Sequence, residues 1–557
     1  MPDSDNLIQA IFLEINIVKG HTGQGISQNI LETIQRFGLS SENFNGGSYD
    51  GQYFHLNVPE LLDDALGFKG DKRKHSDWDA LHRAGLQDIH IRKDPKFSWL
   101  NDATKVITSA FKFINWGQEF EHFLEIADHL ESDESFTDAI YKTFPCFFSE
   151  TRFANHCARV YKAFHKDYPA LLTTLEDVQL SNAGGNSKER EKAHDASTLK
   201  SSIANKKFCL YLSGLCDVYS VFGNAVNILQ TVNMLPHEKY HKFNLCINAF
   251  NDMVDTISNH QSDKCKNKCQ WQTYHKDLEK LLCSGKYRGI SIVEDDSEGR
   301  REKITRYYEK KNEEKSNQPK AQTVVECNLI KFIQQLHDKL KNNVYDEDDV
   351  AMINKIECLA NLKDTILKLK ARGVTIVAAT EGEKFLKNAK SLCHTIEEIP
   401  DNILKMQHNL FLKKLLEIYN TMSQDELNEI KSIDVIKRFL SKNEKLYEGI
   451  EFIMHSISAA CVAISVESIV ESVVSIYETR QTKSRTLSDD RANYEMQIGY
   501  NGPDLAKADT MLKKAMDSYF KAHKQGKWHF TIDPNRLEYT VSKVVDKKIV
   551  KSSKMFL

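Results

Sequence analysis

From Phe111 to about residue 445 the apolar residues recur every three or four positions, and this stretch decides most of what the chain can become. A sequence of 557 residues with that period over more than half its length has to be mainly α-helical. The scarcity of chain breakers agrees: 24 glycines and 10 prolines are roughly half the usual share. That shortage excludes a collagen-like chain and a Pro/Gly-rich disordered one, and argues against a β-sandwich. With 41% hydrophobic residues, large cores can be buried. Runs such as LIKFIQQLHDKL and LANLKDTILKLKARG each read as one amphipathic helix.

The flanks have a different texture. Ile11–Val18 alternates, with Leu13, Ile15 and Ile17 on one face and Glu14 and Asn16 on the other, which is a strand pattern. Thr22 then stands at a helix N-cap position, Ile26, Ile30, Ile34 and Phe37 follow at helical spacing, and Gly38 is a C-terminal stop. Residues 43–48 read as a loop leading into Tyr49-Asp50-Gly51. Within the helical stretch, residues 181–197 read as an exposed connection. Residues 292–322, dense in both charge signs, read as a solvated helix or linker. Near Ser456 small and β-branched residues take over, as in tight core packing, and the last residues are extended and basic. The expected plan is mainly α with a split α/β core. Residues 1–110 are its first part, 111–445 a helical insertion, 446–530 a return to the core, and 531–557 a basic tail.

Charge and cysteine usage narrow the setting. Seventy-five basic against 78 acidic side chains give a net charge of −3, so nucleic-acid contact would rest on local patches such as Lys543, Lys547, Lys548, Lys551 and Lys554. Twelve scattered cysteines read as reduced thiols, which fits a nuclear or cytoplasmic, intracellular protein. MPDSDNLIQA is not a signal peptide. The apolar stretch Phe208–Leu235 is interrupted by Asp217, Asn224, Asn227, Gln230 and Asn233, so a buried helix is expected there and no membrane span. No small-molecule substrate is evident.

Carboxylates carry the best chemical signal. Asp50 follows a Gly46-Gly47-Ser48 turn that lets backbone approach a ligand. More than 400 residues later, Glu467, Glu471 and Glu478 fall within about 40° of one another on a helical wheel. Such a stripe could present oxygen to Mg²⁺ or Mn²⁺, or simply be the polar edge of an amphipathic helix. Asp79 and His82 are an acid–base candidate, or a histidine packed beside Trp78 in a core. Arg152 fits a backbone phosphate or an internal ion pair. Lys72-Arg73-Lys74-His75 fits DNA, an import receptor or a solvated turn. Cys265, Cys269, His275 and Cys283 are zinc-like residue types at spacings that miss the usual closures.

The run FLEINIVKGHTGQGISQNILETIQRFGLSSENFNGGSYDG resembles the segment leading to the second catalytic aspartate of hAT-superfamily DNA transposases. Trp78-Asp79-Ala80-Leu81-His82 is similar to that family's Cys-x-x-His segment, with Asp79 in place of the cysteine. Thr151-Arg152-Phe153 is similar to its Thr-Arg-Trp motif. Ser468-Ile469-Val470-Glu471-Ser472-Val473-Val474-Ser475 resembles its glutamate helix, with Ser472 and Val474 replacing arginine and phenylalanine. The resemblance implies an incomplete ribonuclease-H-like fold interrupted by the large helical insertion. It makes Asp50 and Glu471 (Glu467 the alternative) the remnant of an Asp-Asp-Glu triad that holds a divalent cation. In the family the first aspartate lies on an earlier core strand, and before Ile11 this sequence has only Asp3 and Asp5. Two-metal chemistry needs carboxylates on ions about 3.5–4 Å apart, so the expected function is a domesticated or decayed transposase, inactive in strand cleavage. It would serve as a nucleic-acid or protein binding scaffold. An active metal-dependent transposase or nuclease with its N-terminal region missing from this chain, and a helical protein-interaction scaffold, are the alternatives. DNA is an expected partner, and the Ile11–Val18 edge is expected to be covered by another segment of the chain or by a second copy.

Overall fold

A computed structural model describes residues 21–44, 46–49, 51–70, 73–115, 117–132, 148, 154–231, 234–257, 270–292, 321–441, 444–464, 496, 514, 527–533, 538–545 and 548–556. These residues are mainly helical. They divide into two compact units, the larger taking the described residues up to 464 and the smaller the C-terminal strands.

The larger unit opens in α/β fashion. Helix α1 (Gly23–Arg36) starts where the Thr22 hydroxyl accepts a hydrogen bond from the Gly25 N–H at 3.2 Å. It stops before Gly38, which takes φ +63°. Strands β1 (Gly46–Tyr49) and β2 (His75–Trp78) pair in parallel, Ser48 opposite Asp77 and Tyr49 opposite Trp78. Helices α2 (Gly51–His55) and α3 (Val58–Leu66) make the crossover that a parallel pair requires. The expected loop over residues 43–48 is therefore corrected at its end. Gly-Gly-Ser-Tyr has no apolar alternation to announce a strand. Its pairing with β2 makes it one, in a backbone only glycine tolerates. Gly46 has φ +148°, and a Cβ there would lie 2.5 Å from the His75 carbonyl oxygen and 3.2 Å from that of Ala463.

The helices that follow build two apolar clusters. The first draws on α4 (Ala80–Lys93), α5 (Ser98–Phe113), α6 (Gln118–Ser132), α7 (Ala154–Asn182), α8 (Ser187–Ile203), α9 (Lys206–Gln230), α10 (Pro236–Thr256), α11 (Gln272–Ser284) and α12 (Ala321–Asn343). A small hairpin, β3 (Lys286–Tyr287) with β4 (Ile290–Ser291), closes one side through the buried Tyr287. The second cluster draws on α13 (Glu347–Ala360), α14 (Leu362–Arg372), α15 (Val374–Leu392), α16 (Asp401–Tyr419), α17 (Gln424–Glu429), α18 (Ser432–Leu440) and α19 (Glu451–Val462). Helix α19 shares this core, so the helical mass runs past residue 445.

Two expectations within the helical stretch change. Residues 181–197 are the end of α7, a turn and most of α8, because Asn186 and Glu189 form a reciprocal capping box that starts a new helix. The run LANLKDTILKLKARG is two helices, broken where the Asn361 side chain accepts from the Asp364 N–H at 3.3 Å. The buried helix expected over Phe208–Leu235 is found as α9. It is long and apolar enough to cross a membrane by length and composition, and 89% of its most apolar window is buried inside the protein.

In the smaller unit β5 (Lys527–Asp533), β6 (Glu538–Val545) and β7 (Lys548–Phe556) form an antiparallel sheet in that order. The basic C-terminal residues are thus extended, as expected, and paired: Lys543 stands opposite Lys551, and a register shift follows at Val544.

Candidate functional site

The C-terminal ends of parallel strands are where open α/β sheets bind ligands, because chain ends and helix starts leave a crevice there. This protein has such a crevice. A cleft open to solvent is lined by Asp77, Trp78, Asp79, Ala80 and Leu81 from the end of β2 and the start of α4. Leu229 of α9, Pro236 and Lys239 of α10, Tyr345, Asp349 and Ile353 around α13, and Ile464 just after α19 complete it.

Each polar wall residue has a structural reason for its place. The Ser48 hydroxyl donates across the strand pair to Asp77 Oδ2 at 3.0 Å, while Asp77 Oδ1 has no hydrogen-bond partner among the described residues. Burial pushes the Asp77 carboxyl up to about 7, opposed by His75 and by the Ser48 hydrogen bond. Asp79 caps α4, its Oδ2 accepting from the His82 N–H at 2.9 Å. Asp349 accepts from Arg83 Nη1 at 3.0 Å and lies 3.4 Å from His75 Nε2; Arg83 also reaches Asp346 at 3.0 Å. The Arg83 guanidinium sits over the Trp78 ring at 5.3 Å, which fixes the cleft's aromatic wall. Gly51 lies under the same indole, and a Cβ there would come within 2.4 Å of the ring.

Of the residues singled out in the sequence, Trp78 and Asp79 line this cleft and His82 lies beside it, half-buried, its ring 6.5 Å from that of Trp78. Asp50, Glu467, Glu471, Arg152, Cys265, Cys269, Lys72 and the strand Ile11–Val18 lie outside the described residues. His275 bonds the Ile257 carbonyl oxygen at 3.0 Å, far in role from a metal ligand, and Cys283 is exposed. Arg73 is engaged by Glu60 and Asp64, so the basic cluster is in part an intramolecular one. Among the described residues no three His, Cys, Asp or Glu side chains gather closely enough to hold a metal ion. Of the carboxylates in the cleft, Asp79 is committed to a helix cap and Asp349 to Arg83, while Asp77 keeps one oxygen unpaired among the described residues.

Sequence reading missed Asp77, Lys239, Arg83 and Asp349. Lys239 lies in PHEKYHKF, which reads as an ordinary surface turn of helix, yet the side chain is 7% exposed. Burial lowers its ammonium to about 8, with Asp79 and Asp77 pulling the other way. Compared with known proteins, the chain matches no family model, no curated protein and no solved structure.

Proposed function

We propose that this chain derives from an hAT-type DNA transposase and works as a nucleic-acid-binding scaffold without cutting DNA by itself. One observation supports the derivation above the others. The Ala463 carbonyl oxygen lies against Gly46 of β1, and Ile464 lines the same cleft as Trp78–Leu81. The chain leaves the strand pair, builds the whole helical mass, and comes back to it. A core split by an insertion has that route, and the resemblance of the sequence calls for it. In the proposal Asp50, which directly follows β1, and Glu471, which follows Ile464 in the chain, are the second and third acids of the ancestral triad.

Two of the three acids have counterparts in this sequence, and in-line displacement between two cations draws on all three. Binding makes no such demand, because phosphate contacts need only positive charge. The lysines of β6 and β7 are the proposed contact, and the affinity should fall steeply with salt as counterions are released. The test is a labelled-DNA assay in Mg²⁺ or Mn²⁺ with wild type and Glu471→Gln. We expect salt-sensitive DNA binding and no nicking by either protein. Metal-dependent nicking that Glu471→Gln abolishes would overturn the non-cutting reading, and salt-insensitive or absent DNA binding would overturn the scaffold.

A further inference from the structure

Two ionisable side chains of the cleft are almost wholly buried. Lys239 is 7% exposed, and the charges that favour its ammonium are those of Asp79 and Asp77. Asp77, at 5% exposure, keeps one carboxyl oxygen unpaired among the described residues. A buried ammonium is costly, and an apolar side chain of similar volume would serve packing better. Around the two groups the cleft is lined by Leu81, Leu229, Ile353 and Ile464, and it opens to solvent.

We propose that Lys239 is a reactive amine that captures small carbonyl compounds in this cleft as imines. The proposal goes beyond the transposase-derived reading and stands independently of it. Buried lysines in apolar pockets serve this chemistry because the free amine, the nucleophile, becomes accessible near neutral pH. With Lys239 lowered to about 8 and Asp77 raised to about 7, a useful share of the amine and of the neutral carboxylic acid coexist there.

The step balances without a further reactant. Nζ bonds to the carbonyl carbon, and the carbonyl oxygen takes one proton from the nitrogen and one from the Asp77 carboxyl. The carbon–oxygen bond then breaks and water leaves. A protonated imine and an Asp77 carboxylate remain as an ion pair, which is what the unpaired oxygen of Asp77 is suited to accept. Of the other groups around Lys239, Asp79 exerts the largest charge effect on its ammonium and caps α4 through Oδ2, while Asp349 bonds Arg83 and lies beside His75. Burial holds the Tyr345 phenol neutral. On the same helix, burial lowers His237 to about 4, and Glu238 accepts from the Leu235 N–H.

Full-length protein is treated with limiting acetaldehyde and sodium cyanoborohydride near neutral pH, and reductive alkylation is mapped lysine by lysine. Lys239 should be labelled at least about tenfold faster than the exposed lysines, whose ordinary values leave far less free amine. Asp77→Asn should slow labelling at Lys239 by about tenfold or more while exposed lysines keep their rates, the effect expected for losing a general acid. The wild-type map needs no variant: if Lys239 in the folded protein reacts no faster than the exposed lysines, the proposal is wrong. Undiminished labelling in a folded Asp77→Asn protein would overturn the role of Asp77.

Discussion

The two apolar clusters of the helical mass are built from different materials. In the first, the largest fully buried side chains are aromatic: Trp271, Tyr161, Tyr168, Tyr219, Tyr274 and Tyr287 with Phe111, Phe164, Phe222 and others. Tyrosines bring hydroxyls into the core, and the first cluster satisfies them in networks. Asp88 accepts from Arg92 Nε at 2.9 Å and from the Tyr219 hydroxyl at 2.6 Å, and Arg92 also bonds the Tyr219 hydroxyl. Asp277 accepts from Ser213 at 2.6 Å and lies 2.7 Å from His165. Asp217 of α9 accepts the backbone N–H groups of Thr273 and Tyr274, at the start of α11. The second cluster is mostly Leu, Ile, Val and Ala, and its buried histidine, His408, is stacked on Phe385 at 4.4 Å. Polar networks select one arrangement of helices, because half-satisfied alternatives are expensive; aliphatic packing tolerates rearrangement more readily. The first cluster should be the more exacting of the two.

The sharpest way to break this contrast is Arg92→Met. It strands the buried Asp88 carboxylate and should destabilise the first cluster by about 3–5 kcal/mol, the usual cost of removing one partner of a buried pair. Hydrogen exchange should show α9 opening at much lower free energy with α16 unaffected. Equal loss in both clusters would mean that they fold as one cooperative piece.

Acid should move the two clusters in opposite directions. Burial holds His408 down to about 4, below the ordinary histidine value of about 6.5. Between those values the unfolded chain binds more protons than the folded one, so the second cluster loses stability as pH falls through that window, by about 3 kcal/mol at most. Burial raises Asp217 to about 7, against the pull of its N–H donors. There the folded form binds more protons between about 4 and 7, so the first cluster weakens as pH rises across that range. Exchange at about pH 5 and pH 7, corrected for intrinsic rates, should show α16 loosening in acid and α9 tightening. His408→Phe should erase the first trend and Asp217→Asn the second. A smaller effect is expected from Asn186→Ala, about 1 kcal/mol from the lost cap of α8, read as earlier fraying of that helix alone.

Legibility in the sequence followed the same physics. Helices declared themselves where an apolar stripe met a cap: Thr22 and Gly38 bracket α1 as their chemistry requires. Breaks set by a single side chain did not, as at Asn186 and Asn361, because asparagine is unremarkable inside a helical period until its partner is known. Strands β1 and β2 stayed hidden for another reason. Four-residue strands with sequences GGSY and HSDW carry no alternation, and their existence depends on each other. At the cleft, Trp78 and Asp79 could be singled out by motif. Lys239 and Asp349 could not, since each comes from a helix far along the chain and only the fold sets them against the strand ends.

Gly46 resting against Ala463 has a consequence for the order of events in synthesis. Contacts between residues so distant in sequence form late, after loop closure has been paid for by everything between them. On the ribosome the strand pair emerges early and must wait, its surface incomplete, until α19 has left the exit tunnel. The cleft, like the second cluster that α19 completes, is therefore among the last parts of the larger unit to be finished.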